Sequence, residues 1–305
     1  MSAIQQMLAS YGGPDLPGAT WTERTSSGSR NWSGIASSSD GTKLVAVAFN
    51  GYIYTSTDSG ATWTERTSSG SRYWSGIASS SDGTKLVALS DYIYTSTDSG
   101  ASWTQRTMSG SGPLASSSDG TKLTLAKRSD YIQTSSDGGA NWTARTSSGT
   151  RMWNRMASSS DGTKLIASVD SGYLYTSTDS GASWTERTSA GSRGWLGIAS
   201  SSDGTKLVAV ASSSYIYTST DSGATWTERT SSGSRNWSGI ASSSDGTKLV
   251  AVTGGGGYIY VSADSGASWT ERTSSGSRNW YSVASSSDGT KLVASAYNGY
   301  IYTSP

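Results

Sequence analysis

Aspartate is the residue placed most regularly in this chain. It stands in the phrase SSSDGTKL at positions 40, 82, 119, 161, 203, 245 and 288. It stands again in S-x-D-x-G-x-[ST]-W, as Asp58, Asp98, Asp137, Asp179, Asp221 and Asp264. A carboxylate can be a general acid or base, half of a glycosidase pair, or an acceptor for backbone N–H groups in a tight turn. Proton-transfer roles need surroundings that set one carboxyl apart from its siblings. These six have the same neighbours: Ser two residues before, Gly two after and Trp five after. They read as turn fasteners, with Gly supplying a positive φ.

A second pattern pairs a cation with an indole. Arg30, Arg72, Arg151, Arg193, Arg235 and Arg278 each precede, by two residues, Trp32, Trp74, Trp153, Trp195, Trp237 and Trp280. Arg and Trp with Ser and Asn nearby suit sugar stacking and hydroxyl binding. The same pair also suits an indole packed between structural units with Arg covering it. The stretch SGSGPL, at 109–114, lacks both residues. Charges outside the repeat consensus gather near that gap: Asp91, Lys127, Arg128, Asp130, Arg155 and Asp170. They are expected to form an off-axis notch for a ligand or partner.

Composition removes other chemistries. The chain of 305 residues has no Cys and no His, so thiolate and imidazole catalysis or ligation are excluded, and no metal site or cofactor is expected. A net charge of +1 gives no electrostatic case for nucleic acid. No apolar run is long enough to span a bilayer. With 13 Trp and 17 Tyr but one Phe, the core must be built from amphipathic aromatics and small residues.

These residues are positioned by a repeat. Successive SSSDGTKL aspartates are 42, 37, 42, 42, 42 and 43 residues apart. Each unit contains four strand-like runs, WSGIA, LVAVA, YIYTS and WTERT, separated by Asp-Gly and Asp-Ser-Gly turns. Four antiparallel strands per unit, seven times over, predict an all-β, seven-bladed propeller. An open solenoid shares the period but calls for atypical caps at its ends. Here the C-terminal YIYTSP stops after a third strand, while GATWTERT at 18–25 is a fourth strand without a blade. The two termini are therefore expected to pair within one blade and close the ring, giving a propeller over 18–305.

The phrase S-x-D-x-G-x-[ST]-W resembles the Asp-box, or BNR repeat, of sialidases, sortilin-type receptors and photosystem II assembly propellers. Close matches run from Ser56, Ser96, Ser177, Ser219 and Ser262, and Ser135 opens a sixth with Asn141 in place of Ser or Thr. The terminal copy has Leu16 at the Asp position. The resemblance implies a propeller in which the boxed Asp is structural. A sialidase would also need an Arg triad, a Tyr–Glu pair, an Asp acid and an R-I-P motif. No R-I-P occurs, and Glu23, Glu65, Glu186, Glu228 and Glu271 all occupy the peripheral WTERT slot. The expectation is no enzymatic activity.

Variation between copies falls in the second-to-third turns and in the links between blades, which share one face. A non-catalytic interaction module binding glycan or protein through that face is expected; a sialidase-like glycosidase and an assembly or scaffold factor are the alternatives. Residues 1–17 precede the repeat as a leader, with Ile4, Met7, Leu8 and Tyr11 at helical spacing. They can anchor the chain in a larger assembly or cap its own propeller. MSAIQQMLASYGG also resembles the openings of bacteriophage proteins, which implies a virion or extracellular surface location.

Overall fold

Every residue of LVAVA is apolar or small, so both faces of that strand have to be covered. Packing each sheet between two others meets this demand, and a computed structural model, which describes residues 16–110 and 112–305, shows how. In blade one the strands are Trp32–Ser37, Leu44–Gly51, Ile53–Ser56 and Thr64–Arg66, in order from the axis outward. Leu44, Ala46 and Ala48 point towards the preceding blade, clustering with Val293 and Ile301. Val45, Val47 and Ile53 point the other way, onto Trp74, Leu86 and Tyr94 of the next. The strand period of two thus splits one strand between two interblade cores.

Seven such sheets surround one axis, each built on four antiparallel strands. The innermost strands of blades two to seven are Gly76–Ser79, Leu114–Ser116, Arg151–Ser158, Trp195–Ser200, Trp237–Ser242 and Trp280–Ser285. The termini close the ring. Thr22–Arg24 pairs with Ile301–Ser304, setting Glu23 opposite Tyr302. A circuit of backbone hydrogen bonds confirms closure: Ser39 donates to Ser81, and the chain continues through Ser118, Ser160, Ser202, Ser244 and Ser287 back to Ser39, at 2.7–2.8 Å. An open solenoid has no such circuit.

The two aspartate turns share a face, because Ser59 N of the outer hairpin donates to Thr42 O of the inner one at 2.9 Å. Lysines of the inner turn reach the next blade, as when Lys43 Nζ donates to Asp82 O at 2.9 Å. Links and second-to-third turns meet on the opposite face, where Arg30 pairs with Gly299.

Several details differ from the sequence reading. The Trp of WTERT lies before the outer strand, and TER is followed by a short 3-10 turn such as Thr25–Ser27. Blade two instead extends its outer strand over Thr104–Ser109. Its Met108, like Leu114 and Trp142, packs against the cluster of Val87, Leu89, Ile93, Leu123 and Leu125. Arginines of the outer strand donate to a third-strand Thr, as Arg66 does to Thr55, but Val261 replaces that Thr in blade six. Arg272 turns to the carbonyls of Leu16 and Pro17 instead, tying down the chain ahead of the closing strand. The helical spacing in the leader, from Ile4 to Tyr11, and its anchoring role lie outside the described residues.

Candidate functional site

The repeated carboxylates are saturated with donors. Asp58 accepts from Thr62 Oγ1 at 2.6 Å, Thr62 N at 2.9 Å and Ser56 Oγ at 2.7 Å. The hydroxyl and backbone N–H of Thr62 and the Ser56 hydroxyl outweigh desolvation and lower its pKa to about 2. Asp98, Asp137 and Asp221 are lowered to about 2 as well. In the Asp137 turn, Asn141 does the work of Ser or Thr, donating from Nδ2 at 2.7 Å. Asp179 and Asp264 hold the same contacts with Ser183 and Ser268. Asp40 of the inner turn, bonded first by the Ser38 hydroxyl and then by Thr42, is also lowered to about 2. A carboxyl so acidic is ionised at neutral pH and holds no proton to donate. The turn backbone needs this support: Ser59 and Gly60 have φ of 57° and 85°.

The link tryptophans Trp32, Trp74, Trp153, Trp195, Trp237 and Trp280 are wholly buried between blades, and their rings are closed to any sugar. Trp195 Nε1, for example, donates to Gly172 O of the preceding blade at 3.0 Å. The link arginines lie apart, one in each blade except the third. Arg30, Arg72, Arg151, Arg193, Arg235 and Arg278 each cover the third-strand tyrosine of their blade, at 4.4–4.7 Å from the ring centroid. Five of them also donate to the carbonyl three residues back, as Arg193 Nε does to Ala190 O at 3.0 Å. In five blades the tyrosine hydroxyl donates to the outer-strand Glu, as in Tyr217–Glu228. Burial and this bond raise the Tyr54 pKa to well above the ordinary phenol value. Each Arg–Tyr–Glu stack belongs to its own blade, and the stacks do not converge on a common ligand position.

The non-consensus charges do not form one off-axis notch. Lys127 lies over Gly110, Asp130 Oδ1 accepts from Tyr131 N at 2.7 Å, and Asp91 and Asp170 are exposed. Arg155 and the exposed Arg128 both line a cavity of about 530 Å³ on the propeller axis. The physical reason is that Arg155 stands on an innermost strand, where the ring brings all blades together. The cavity opens among the first residues of these strands, on the link face, and no carboxylate lines it. Ser33, Ser75, Ser238 and Asn154 contribute polar wall, and Ile35, Ile77, Met156 and Ile198 contribute apolar wall. A separate shallow bowl at the other end of the axis is lined by serines alone.

Sequence reasoning missed a further feature of this face. Among the described residues the exposed large apolar side chains are Phe49, Tyr73, Tyr92, Met152, Tyr281 and Tyr297. All six occupy links, second-to-third turns or the strand ends beside them. Phe49 and Tyr73 pack at 5.2 Å between centroids, and Tyr281 and Tyr297 at 6.4 Å. The signal was available for five of them, because Phe49, Tyr73, Met152, Tyr281 and Tyr297 stand where most sibling repeats carry another residue, whereas Tyr92 is the tyrosine that every repeat has at that position.

The fold and cavity place the chain among seven-bladed β-propellers, and comparison with solved structures agrees. YCF48 from Cyanidioschyzon merolae aligns with a TM-score of 0.73 at 18% identity, over 93% of this chain and 98% of its own. A structure of YCF48 bound to D1 peptide aligns at 0.72 and 16% identity, over 93% and 95%. The GH74 xyloglucanase from Xanthomonas campestris aligns at 0.72 and 17% identity, over 93% of this chain and 53% of the enzyme. No protein-family model and no curated protein matches the chain. At these identities the likeness is one of fold, and function has to be argued from the site.

Proposed function

We propose that this chain is a non-catalytic binding module that engages a protein or glycan partner through its link face. The observation that carries the reading is the confinement of every exposed large apolar side chain among the described residues to that face, with Tyr281 also lining the axial cavity. Apolar side chains gathered in this way mark interaction surfaces. Propellers of this fold serve both kinds of ligand: one neighbour is a peptide complex and another a xyloglucanase. The non-enzymatic reading rests on the carboxylates. Glycoside hydrolysis generally uses two acids about 5–10 Å apart around one bond, and the cavity wall has none. The repeated aspartates hold their turns, and the Glu residues take bonds from tyrosines at the blade edge. An assembly-factor role is one form of protein binding by the same face. The finer expectation of a virion or cell-surface setting draws on the resemblance of the opening residues to those of bacteriophage proteins.

The test is a glycan array beside a peptide library, each probed with the native protein, a Phe49→Ala/Tyr73→Ala variant and a Tyr281→Ala/Tyr297→Ala variant. At least one double variant should lose tenfold or more in affinity for the captured ligand, and Lys206→Ala on the opposite face should lose nothing. A ligand bound equally by all four proteins refutes the assignment of the face. Turnover of any glycan on the array refutes the non-catalytic reading.

A further inference from the structure

Arg155 breaks the repeat in a way that has chemical consequences. Its position on the innermost strand is Gly34, Gly76, Gly197 and Gly239 in other blades. A side chain there leans over the neighbouring strand: a Cβ on Gly34 would lie 3.3 Å from Ile77 Cγ2. Arg155 accordingly lies along the next blade, donating from Nε to Leu196 O at 2.6 Å. Its Nη1 donates to Asn154 O at 2.9 Å and to Asn154 Oδ1 at 3.1 Å. Asn154 is held in turn by its Nδ2 donating to Trp195 O at 2.6 Å. The guanidinium is thus fixed by neutral acceptors through Nε and Nη1, and Arg155 lines the cavity.

Among the described residues no carboxylate neutralises this cation. Among the described residues neither Arg155 nor Arg128 forms an ion pair, and the cavity lining contains both but no acid. Desolvation lowers the pKa of Arg155; Tyr281 opposes that shift, and the Arg128 charge adds a smaller lowering. A half-buried cation beside a second, exposed one favours an anion that joins them. The volume lies within the range of about 300–1,000 Å³ usual for small-molecule sites. Walls that alternate Ser and Asn with Ile and Met match a pyranose, which has hydroxyl edges and apolar C–H faces.

We propose that the axial cavity binds a hexuronate-type sugar acid, with the carboxylate between Arg155 and Arg128 and the ring against the Ser and Ile walls. The inference rests on the link face being the binding face, and names a ligand class for it.

Titration calorimetry of the native protein with glucuronate, digalacturonate, glucose and an acidic peptide tests it. Glucuronate or digalacturonate should bind saturably, at least tenfold more tightly than glucose, and more weakly as salt rises. Arg155→Gly restores the residue that four sibling blades carry. It should keep the melting temperature within a few degrees and lose tenfold or more in sugar-acid affinity; Arg128→Gln should lose several-fold. Equal affinity for glucose and glucuronate, no binding of either acid, or acid binding indifferent to both substitutions overturns the cavity inference. Saturable binding of the acidic peptide alone, abolished by Arg155→Gly, overturns the sugar assignment. Any of these results leaves the reading of the face standing if the double aromatic variants still lose their captured ligand.

Discussion

Replacing Asp58 by Asn isolates what one repeated carboxylate contributes. The native side chain accepts from two hydroxyls and one backbone N–H, at 2.6, 2.7 and 2.9 Å. Asn keeps one oxygen and turns an NH₂ towards groups that donate. A hydrogen bond to a charged acceptor contributes about 1.5–3 kcal/mol, and solvent screening at this exposed turn brings the net loss to about 1–2 kcal/mol. With an unfolding entropy of about 2.1 cal/mol/K per residue, a chain of this length should melt about 2–3 °C lower. The pH dependence sharpens the test. The folded pKa of about 2 lies below the ordinary carboxylate value of 3.8. The carboxylate's contribution is therefore fully present above pH 4 and is lost as pH falls through 2. Protonated Asp is a near-isostere of Asn, so the gap in melting temperature should shrink below pH 4 and vanish near pH 2. Scanning calorimetry of both proteins from pH 7 to 2 measures it. Asp221→Asn, in a turn with the same donors, should give the same curve. No gap at pH 7, or one unchanged at pH 2.5, would refute the fastener argument.

Three other perturbations address the ring. Removing residues 1–24 deletes the outer strand of the closing blade together with the Arg272 tie. The melting temperature should fall by well over the Asp58 effect, and an unchanged value would contradict closure by the termini. Trp195→Ala empties a site with no solvent exposure and should cost about 3–5 kcal/mol; denaturant titration showing under 1 kcal/mol would mean that the indole does not join blades four and five. Gly223→Ala places a Cβ 2.9 Å from Thr176 Cγ2 at a φ of +85°. A loss of about 1–2 kcal/mol is expected, and no loss would show that the turn can relax.

The sequence by itself determined the architecture, because its causes are local or periodic. Strand alternation in LVAVA, Asp-Gly turns and a 42-residue period define the blade and its number, and the split of YIYTSP from GATWTERT defines the closure. The same reasoning identified Asp58 and its siblings as turn residues, since identical neighbours imply identical roles. It also singled out Arg128 and Arg155 as departures from the consensus, but placed them off the axis with Asp91, Lys127, Asp130 and Asp170. Only the tertiary structure decided where those charges sit, because distance from the axis is set by ring closure rather than by chain position. It likewise decided that Arg30 and its five counterparts cover tyrosines of their own blades while Trp32 and its counterparts disappear between blades. The exposed aromatics are scattered across the chain from Phe49 to Tyr297, and they share a face only because the ring folds its ends together.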